Sequence, residues 1–148
     1  DFTIYGIDIA PNMIELAEKN NPTARFAVMD SRQIHELNGK YDGIVCGFCL
    51  PYLSQTDSQK LITDCYHLLN ENGLIYISFV EGDPIQSGFQ VSSHGDRSYF
   101  YFHQLDDLKA KLVESEFDEL RTVKVEDKNS GNKMEVHTIL TAKKRTAG

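Results

Sequence analysis

Thr3-Ile4-Tyr5-Gly6-Ile7-Asp8 is an apolar run that stops on an acid. The segment after it, Pro11–Asn20, sets Met13, Ile14, Leu16 and Ala17 on one helical face, and Pro11 suits a first helical turn. Arg25–Met29 then reads as a second short strand, and it too stops on an acid, Asp30. Strand, helix and strand in alternation mark an α/β layered domain.

The alternation continues outward. Tyr41–Cys46 reads as a third strand. Ser54–Asn70 is the clearest helix, with Leu61, Ile62, Cys65, Leu68 and Leu69 recurring on one face and Asn72-Gly73 placed to close it. Leu74–Val80 is apolar at nearly every position, as a strand covered on both faces is. Glu81–Asp96 reads as a long loop, a kind that often carries function. Tyr99–Phe102 is an aromatic cluster expected as a half-buried strand or lid. Gln104–Ser115 has Leu105, Leu108 and Leu112 in helical register. Phe117–Glu126 and Met134–Ala142 flank the turn residues Asp127–Asn132 and are expected to form an antiparallel hairpin. The expected architecture is one α/β domain over 1–148, a Rossmann-like and mostly parallel sheet ending in that hairpin.

Composition narrows the function. A chain of 148 residues is one domain's worth. Its 15 Lys+Arg against 22 Asp+Glu leave a net charge of −7, which repels a phosphate backbone and argues against nucleic acid as a partner. Lys143-Lys144-Arg145 reads as a short solvated tail. No apolar run reaches the roughly 18–20 residues of a membrane helix, so no membrane partner is expected. Three cysteines, an odd number, fit a reducing compartment, hence the cytoplasm, better than a disulfide framework.

In an open α/β sheet, ligands bind beyond the carboxyl ends of the strands. Asp8, Asp30, Cys46-Gly47-Phe48 and Glu81 stand at such ends. Either Asp could simply cap the segment after it. An Asp held rigidly there can also accept two hydrogen bonds from a ribose diol, each contributing about 1.5–3 kcal/mol. A second Asp some 20 residues on can accept from an exocyclic amino group such as that of adenine. This chemistry suits an adenosine cofactor without saying which.

Several stretches together carry a family resemblance. Ile4-Tyr5-Gly6-Ile7-Asp8-Ile9-Ala10-Pro11-Asn12-Met13 resembles the second motif of class I S-adenosylmethionine-dependent methyltransferases, and Phe26-Ala27-Val28-Met29-Asp30-Ser31 is similar to their adenine-side motif. Tyr41–Leu50 is similar to the strand beside the methionine moiety. Leu68–Ile77 resembles the helix, turn and fifth strand. Tyr101–Leu108, Phe117 and the final hairpin resemble the ending of the small-molecule branch.

The resemblance implies a cofactor, S-adenosylmethionine, a small-molecule methyl acceptor, and no metal. It implies that Asp8 binds the ribose hydroxyls and that Ile9 packs on adenine. Asp30 would accept from the adenine amino group, and Ser31 would offer its backbone N–H to the ring. Cys46 would lie beside the methionyl part, with Phe48 and Leu50 shaping the floor near the sulfonium.

The chain departs from the family in three places. No glycine-rich loop precedes Asp8, and the family's first strand, central in its sheet, has no counterpart; the domain is therefore expected to be incomplete at its amino end and inactive by itself. Pro51-Tyr52 stands where relatives often carry His, and Ala10 where Ser or Thr is common. Methyl transfer needs a base only where the acceptor must lose a proton. The weak catalytic candidates are Tyr52, His94, Tyr101 and His103, while His35, His67 and His137 read as ordinary surface residues.

Three other readings compete. Cys46-Gly47-Phe48-Cys49 has the spacing of a thiol–disulfide oxidoreductase, but Pro51 follows where such a motif opens a helix. An NAD-dependent dehydrogenase explains Asp8, and explains Asp30 and the hairpin less well. A non-catalytic methyltransferase-like binding domain would keep the fold without the chemistry.

Overall fold

The computed structural model describes residues 2–91, 95, 97–128 and 134–145. Its elements run β1 (Tyr5–Asp8), α1 (Pro11–Asn20), β2 (Arg25–Val28), β3 (Tyr41–Gly47), α2 (Gln55–Leu68), β4 (Leu69–Val80), β5 (Gly88–Val91), β6 (Arg97–Phe100), α3 (Leu105–Glu114), β7 (Phe117–Lys128) and β8 (Met134–Lys144). Short 3-10 turns sit at Ser31–Glu36, Leu50–Tyr52 and Pro84–Gln86. The order is the one the sequence predicts, with β5 added inside the expected loop and paired to β6, which runs into the aromatic cluster. The turn residues 129–133 lie outside the described residues. No helix among the described residues is long and apolar enough to cross a membrane.

The chain divides into two compact units, 1–37 and 38–148. In the first, β1 and β2 pair in parallel, from Tyr5 opposite Arg25 to Asp8 opposite Val28. Helix α1 connects them, and its Ile14 is buried.

The second unit holds a four-stranded sheet in the order β3-β4-β8-β7. Strand β4 is central: it runs parallel to β3 and antiparallel to β8. Ile75, Ile77 and Phe79 point to one face of β4 by strand alternation and are essentially inaccessible, and Ser78 and Val80 on the other face are buried too. Helix α2 lays Leu61, Ile62, Cys65 and Leu68 into this core, and α3 adds Leu108 and Leu112. Phe117 and Leu140 close it from the terminal hairpin. Burying each such side chain stabilises by about 1.5–3 kcal/mol, so this layer is the main source of the unit's stability.

The expectation of a mostly parallel sheet needs correction. Among the described pairings, β1–β2 and β3–β4 are parallel, while β4–β8, β7–β8 and β5–β6 are antiparallel. The long hairpin docks its β8 directly on β4, which brings two antiparallel ladders into the main sheet.

The end of α2 is corrected as well. The helix stops at Leu68, four residues before Asn72-Gly73, and β4 begins at once. Tyr41 pairs with Leu69 but Gly43 pairs with Leu74, so Asn70–Gly73 form a bulge in which Asn72 adopts a φ of 64°. A Cβ on Gly73 would sit 2.8 Å from the Asn70 carbonyl oxygen, which explains the glycine there.

Nor do Lys143, Lys144 and Arg145 form a free tail. Lys144 belongs to β8, and its ammonium donates to the Tyr66 and Leu69 carbonyls, each at 2.8 Å, while lying 4.2 Å from the centre of the Tyr66 ring. Carbonyls at a helix C-terminus lack intrahelical donors and attract cations. Lys40 donates to the His67 carbonyl at the same helix end. Arg145 donates its backbone N–H to Glu116, and its side chain reaches Asp118.

Candidate functional site

Four of the six expected cofactor residues belong to the first unit, and the register of β1 with β2 sets their arrangement. Asp8 is the last residue of β1, and its carbonyl accepts from Met29 N–H at 3.0 Å, just past the end of β2. Asp30 follows at once. The two acids therefore stand at the same end of adjacent parallel strands.

Each acid also caps the segment after it. Asp8 Oδ1 accepts from the Ala10 backbone N–H at 2.9 Å, ahead of α1. That bond satisfies the N–H of Ala10, which occupies the N-cap position without a side-chain acceptor of its own. Asp30 caps the 3-10 turn through Arg32 N–H at 2.9 Å, and its carboxylate is gripped by the Arg32 guanidinium at 2.6–3.1 Å. The guanidinium first, and the backbone N–H second, hold this carboxyl below its ordinary range. An ionised carboxylate has about four acceptor positions, so Asp8, with one backbone donor, keeps positions to spare, whereas Asp30 already receives four contacts from Arg32 and takes a further donor only by sharing with the guanidinium.

The neighbours of the two acids differ in character. Ile9 is 62% exposed, a large apolar side chain at the mouth of β1. Ser31 opens the 3-10 turn, at a position whose backbone N–H has no partner within the turn.

The other two expected residues, Cys46 and Phe48, lie in the second unit, at the end of β3. Cys46 is buried. Phe48 adopts a φ of 51°, and its N–H donates to the Ser78 carbonyl at 3.2 Å and to Ser78 Oγ at 3.0 Å. Its ring stays half exposed and meets His137 edge-on, with centroids 5.4 Å apart. Leu50, expected beside it, is fully buried as the first residue of the following 3-10 turn.

Cys46, Cys49 and Cys65 are free thiols. Neighbouring Cys46 and burial push the Cys49 thiol far up. Cys46 also lies well above the usual thiol range: Cys49 favours its thiolate, but Cys65 and burial outweigh it.

The weak catalytic candidates separate by environment. Tyr52 is exposed. Tyr101 is half-buried; its N–H donates to the Pro51 carbonyl at 2.8 Å, and its ring leans on Tyr99, centroids 4.6 Å apart. His103 is only 3% exposed, and its Nε2–H faces the Leu50 and Leu53 carbonyls at 2.8 and 3.0 Å. That ring braces the segment before α2. His94 lies outside the described residues.

Two residues play parts that the sequence did not indicate. His137 is not an ordinary surface residue: it is half-buried against Phe48, in β8 between β4 and β7. Glu81, past the end of β4, is held by Thr138 Oγ1 at 2.6 Å and by Lys124 at 3.3 Å, so it ties β4 to the hairpin. Alternation along β8 could have flagged Thr138, a hydroxyl in register with buried Leu140 and Ala142. Nothing local in the sequence marks His137.

Comparison with known proteins bears on this arrangement. A family model described as a methyltransferase domain matches residues 1–73. No curated protein matches the sequence. Among solved structures, a SAM-dependent methyltransferase from Methanosarcina mazei superposes with a TM-score of 0.76 at 16% identity, covering 98% of this chain and 83% of that one. The N-methyltransferase NodS from Bradyrhizobium japonicum, solved with S-adenosyl-L-homocysteine, gives 0.72 at 16%, covering 97% and 67%. Magnesium protoporphyrin IX methyltransferase from Synechocystis PCC 6803, solved with bound SAM, gives 0.68 at 20%, covering 97% and 60%. At such identities the likeness establishes the fold, which is that of the class I methyltransferases.

Proposed function

We propose that this chain, which has the class I methyltransferase fold and matches a methyltransferase-domain model over residues 1–73, binds S-adenosylmethionine and serves methyl transfer to a small-molecule acceptor. The observation that carries the reading is the pair Asp8 and Asp30 at one end of adjacent parallel strands. Two fixed anionic acceptors suit the two donor groups of adenosine, the ribose diol and the adenine amino group. Exposed Ile9 suits packing on the adenine ring, and the Ser31 N–H suits a ring nitrogen. Cys46 and Phe48 are assigned to the methionyl side.

When bound, this cofactor supplies an electrophilic methyl group on a sulfonium. The chain's own contribution is to orient and to exclude water, which can account for much of the acceleration of an in-line displacement. Asp8 and Asp30 hold their acceptor geometry because each also caps a turn, so neither must be ordered on binding. No general base is assigned: His103 spends its Nε2–H on two carbonyls, and Tyr52 and Tyr101 are candidates only for an acceptor that must lose a proton. The net charge of −7 favours a small acceptor over a nucleic acid.

The test is calorimetric titration of S-adenosylhomocysteine into the full-length protein, with Asp8→Ala and Asp8→Asn in parallel. Asp8→Asn keeps an oxygen for Ala10 N–H and so separates the cap from the ligand. We expect binding to weaken by about tenfold or more in both variants, a loss of about 1.4 kcal/mol. Binding unchanged in Asp8→Asn, or absent from the folded wild-type protein, would refute the assignment.

A further inference from the structure

Strands β5 and β6 leave the main sheet at the carboxyl end of β4 and close back on it. Gly82 N–H donates to the His103 carbonyl at 3.2 Å, and Glu81 bridges to His103 where the segment returns. The hairpin's register puts Gly88 opposite Phe100, Phe89 opposite Tyr99 and Val91 opposite Arg97. Alternation sorts its side chains onto two faces. Phe100 and Phe102 share one face, with ring centroids 5.1 Å apart. This face is the inner one: both rings are half-buried, and a Cβ on Gly82 would sit 2.4 Å from the Phe102 ring. Phe89, Arg97, Tyr99 and Tyr101 share the other face. Phe89 and Tyr99 meet edge-on at 5.1 Å, Tyr99 and Tyr101 lie 4.6 Å apart, and the Arg97 guanidinium stands 4.1 Å over the Phe89 ring.

This outer face stays open: Phe89 is 60% exposed and Tyr99 39%. Cross-strand contact between rings steadies a hairpin, but it does not call for a cation laid on one of them. Arg97 is the one charged residue in β5 and β6, and among the described residues no carboxylate or carbonyl takes its N–H donors. A guanidinium held over a ring keeps a fork of donors in its own plane, the geometry that pairs bidentately with a carboxylate. The three rings offer flat apolar surface beside it. On a chain of net charge −7, one such cation suits a monoanion better than a dianionic phosphate. Tyr101 N–H donates to the Pro51 carbonyl at 2.8 Å, which pins the root of the hairpin to the turn that follows Phe48, the residue assigned to the methionyl side. We propose that the outer face of the β5–β6 hairpin seats the methyl acceptor, an aromatic carboxylate whose ring packs on Phe89, Tyr99 and Tyr101 and whose anionic group pairs with Arg97. The acceptor role rests on the functional reading; recognition of an aromatic acid does not.

The probe is 2-naphthoate, titrated into the full-length protein by saturation-transfer NMR beside neutral 2-naphthamide, non-aromatic cyclohexanecarboxylate and 2-naphthyl phosphate. We expect 2-naphthoate to bind about tenfold or more tighter than 2-naphthamide or cyclohexanecarboxylate, because only it uses both the fork and the rings. Arg97→Gln should bring 2-naphthoate down to the affinity of 2-naphthamide, and Arg97→Lys, which keeps the charge without the fork, should recover part of the loss. Tyr99→Leu should weaken 2-naphthoate and leave cyclohexanecarboxylate unchanged. Arg121→Gln, which removes an exposed arginine of β7, should leave every affinity as it is. Circular dichroism checks that each variant is folded. No binding of 2-naphthoate to the folded wild type, equal binding of 2-naphthamide, tighter binding of 2-naphthyl phosphate, or an equal loss in Arg121→Gln would overturn the proposal. So would sedimentation that finds a dimer dispersed by Phe89→Asp, since the face would then belong to a second copy. For the acceptor role, 2-naphthoate should still bind when S-adenosylhomocysteine is saturating; mutual exclusion would overturn that role. If wild-type protein binds no S-adenosylhomocysteine, the acceptor role fails with the functional reading while the naphthoate result stands. S-adenosylhomocysteine bound without 2-naphthoate would overturn this proposal alone.

Discussion

Residues 1–37 and 38–148 divide the work of the chain unevenly. In the first unit only Ile14 and Ile34 are buried among the described residues, and Ile4, Ile9, Met13, Leu16 and Val28 stay exposed. Its sheet has two strands of four residues each, a size that is marginal without further support. The second unit buries Phe79, Phe117, Leu50, Ile62, Ile75, Ile77 and Leu140 almost completely. The paired acids of the proposed adenosine site are thus carried by the thinly packed unit, where caps rather than a core hold them. Positioning two carboxylates takes a strand register and two caps; stability takes a layer of apolar side chains.

The sharpest way to break this contrast is through the core. Phe117→Ala should cost about 3–5 kcal/mol in denaturant unfolding, because the ring is fully buried and meets Tyr66 edge-on. A loss under about 1 kcal/mol would mean that the hairpin contributes little to the second unit. Hydrogen exchange sharpens the same contrast: β1 and β2 amides should exchange well before those of β4 and β8. Equal protection would show the two units opening together.

Smaller effects belong to the polar braces. His103→Leu keeps bulk but removes the donor shared by the Leu50 and Leu53 carbonyls, and should cost about 1–3 kcal/mol. A neutral result by thermal melting would show that water replaces the ring nitrogen there. Ser54→Ala removes the cap accepted from Asp57 N–H on α2 and should cost about 1 kcal/mol.

The smallest effect is the pH response of Asp30. Arg32 lowers its folded pKa, so its contribution is present above the ordinary carboxylate range and is lost as pH falls through the lowered value. Asp30→Asn should therefore be slightly less stable than wild type at neutral pH, with the gap closing in acid. A gap that widens on acidification would reverse the assignment.

Much of this was legible from the chain alone. Helix α1 runs from Pro11 to Asn20 as its periodicity predicts, because a short amphipathic segment with Pro at its first turn has few alternatives. The elements around Asp8 and Asp30 were visible for the same reason, and both the capping and the ligand reading followed from the residue types. The end of α2 was misread because Asn72-Gly73 serves a strand bulge as readily as a helix stop. Lys144 was misread because only the fold brings β8 to the Tyr66 and Leu69 carbonyls.

What the sequence determined by itself was the element order and which residues stand at the strand ends, since periodicity, caps and acids act over a few residues. What only the tertiary structure decided was partnership: that β8 runs antiparallel beside β4, that His137 meets Phe48, and that Thr138 and Lys124 hold Glu81. Those pairs are separated by up to 89 positions in the chain, as from Phe48 to His137. Strand pairing and core packing set such contacts, and no local pattern of residues encodes them.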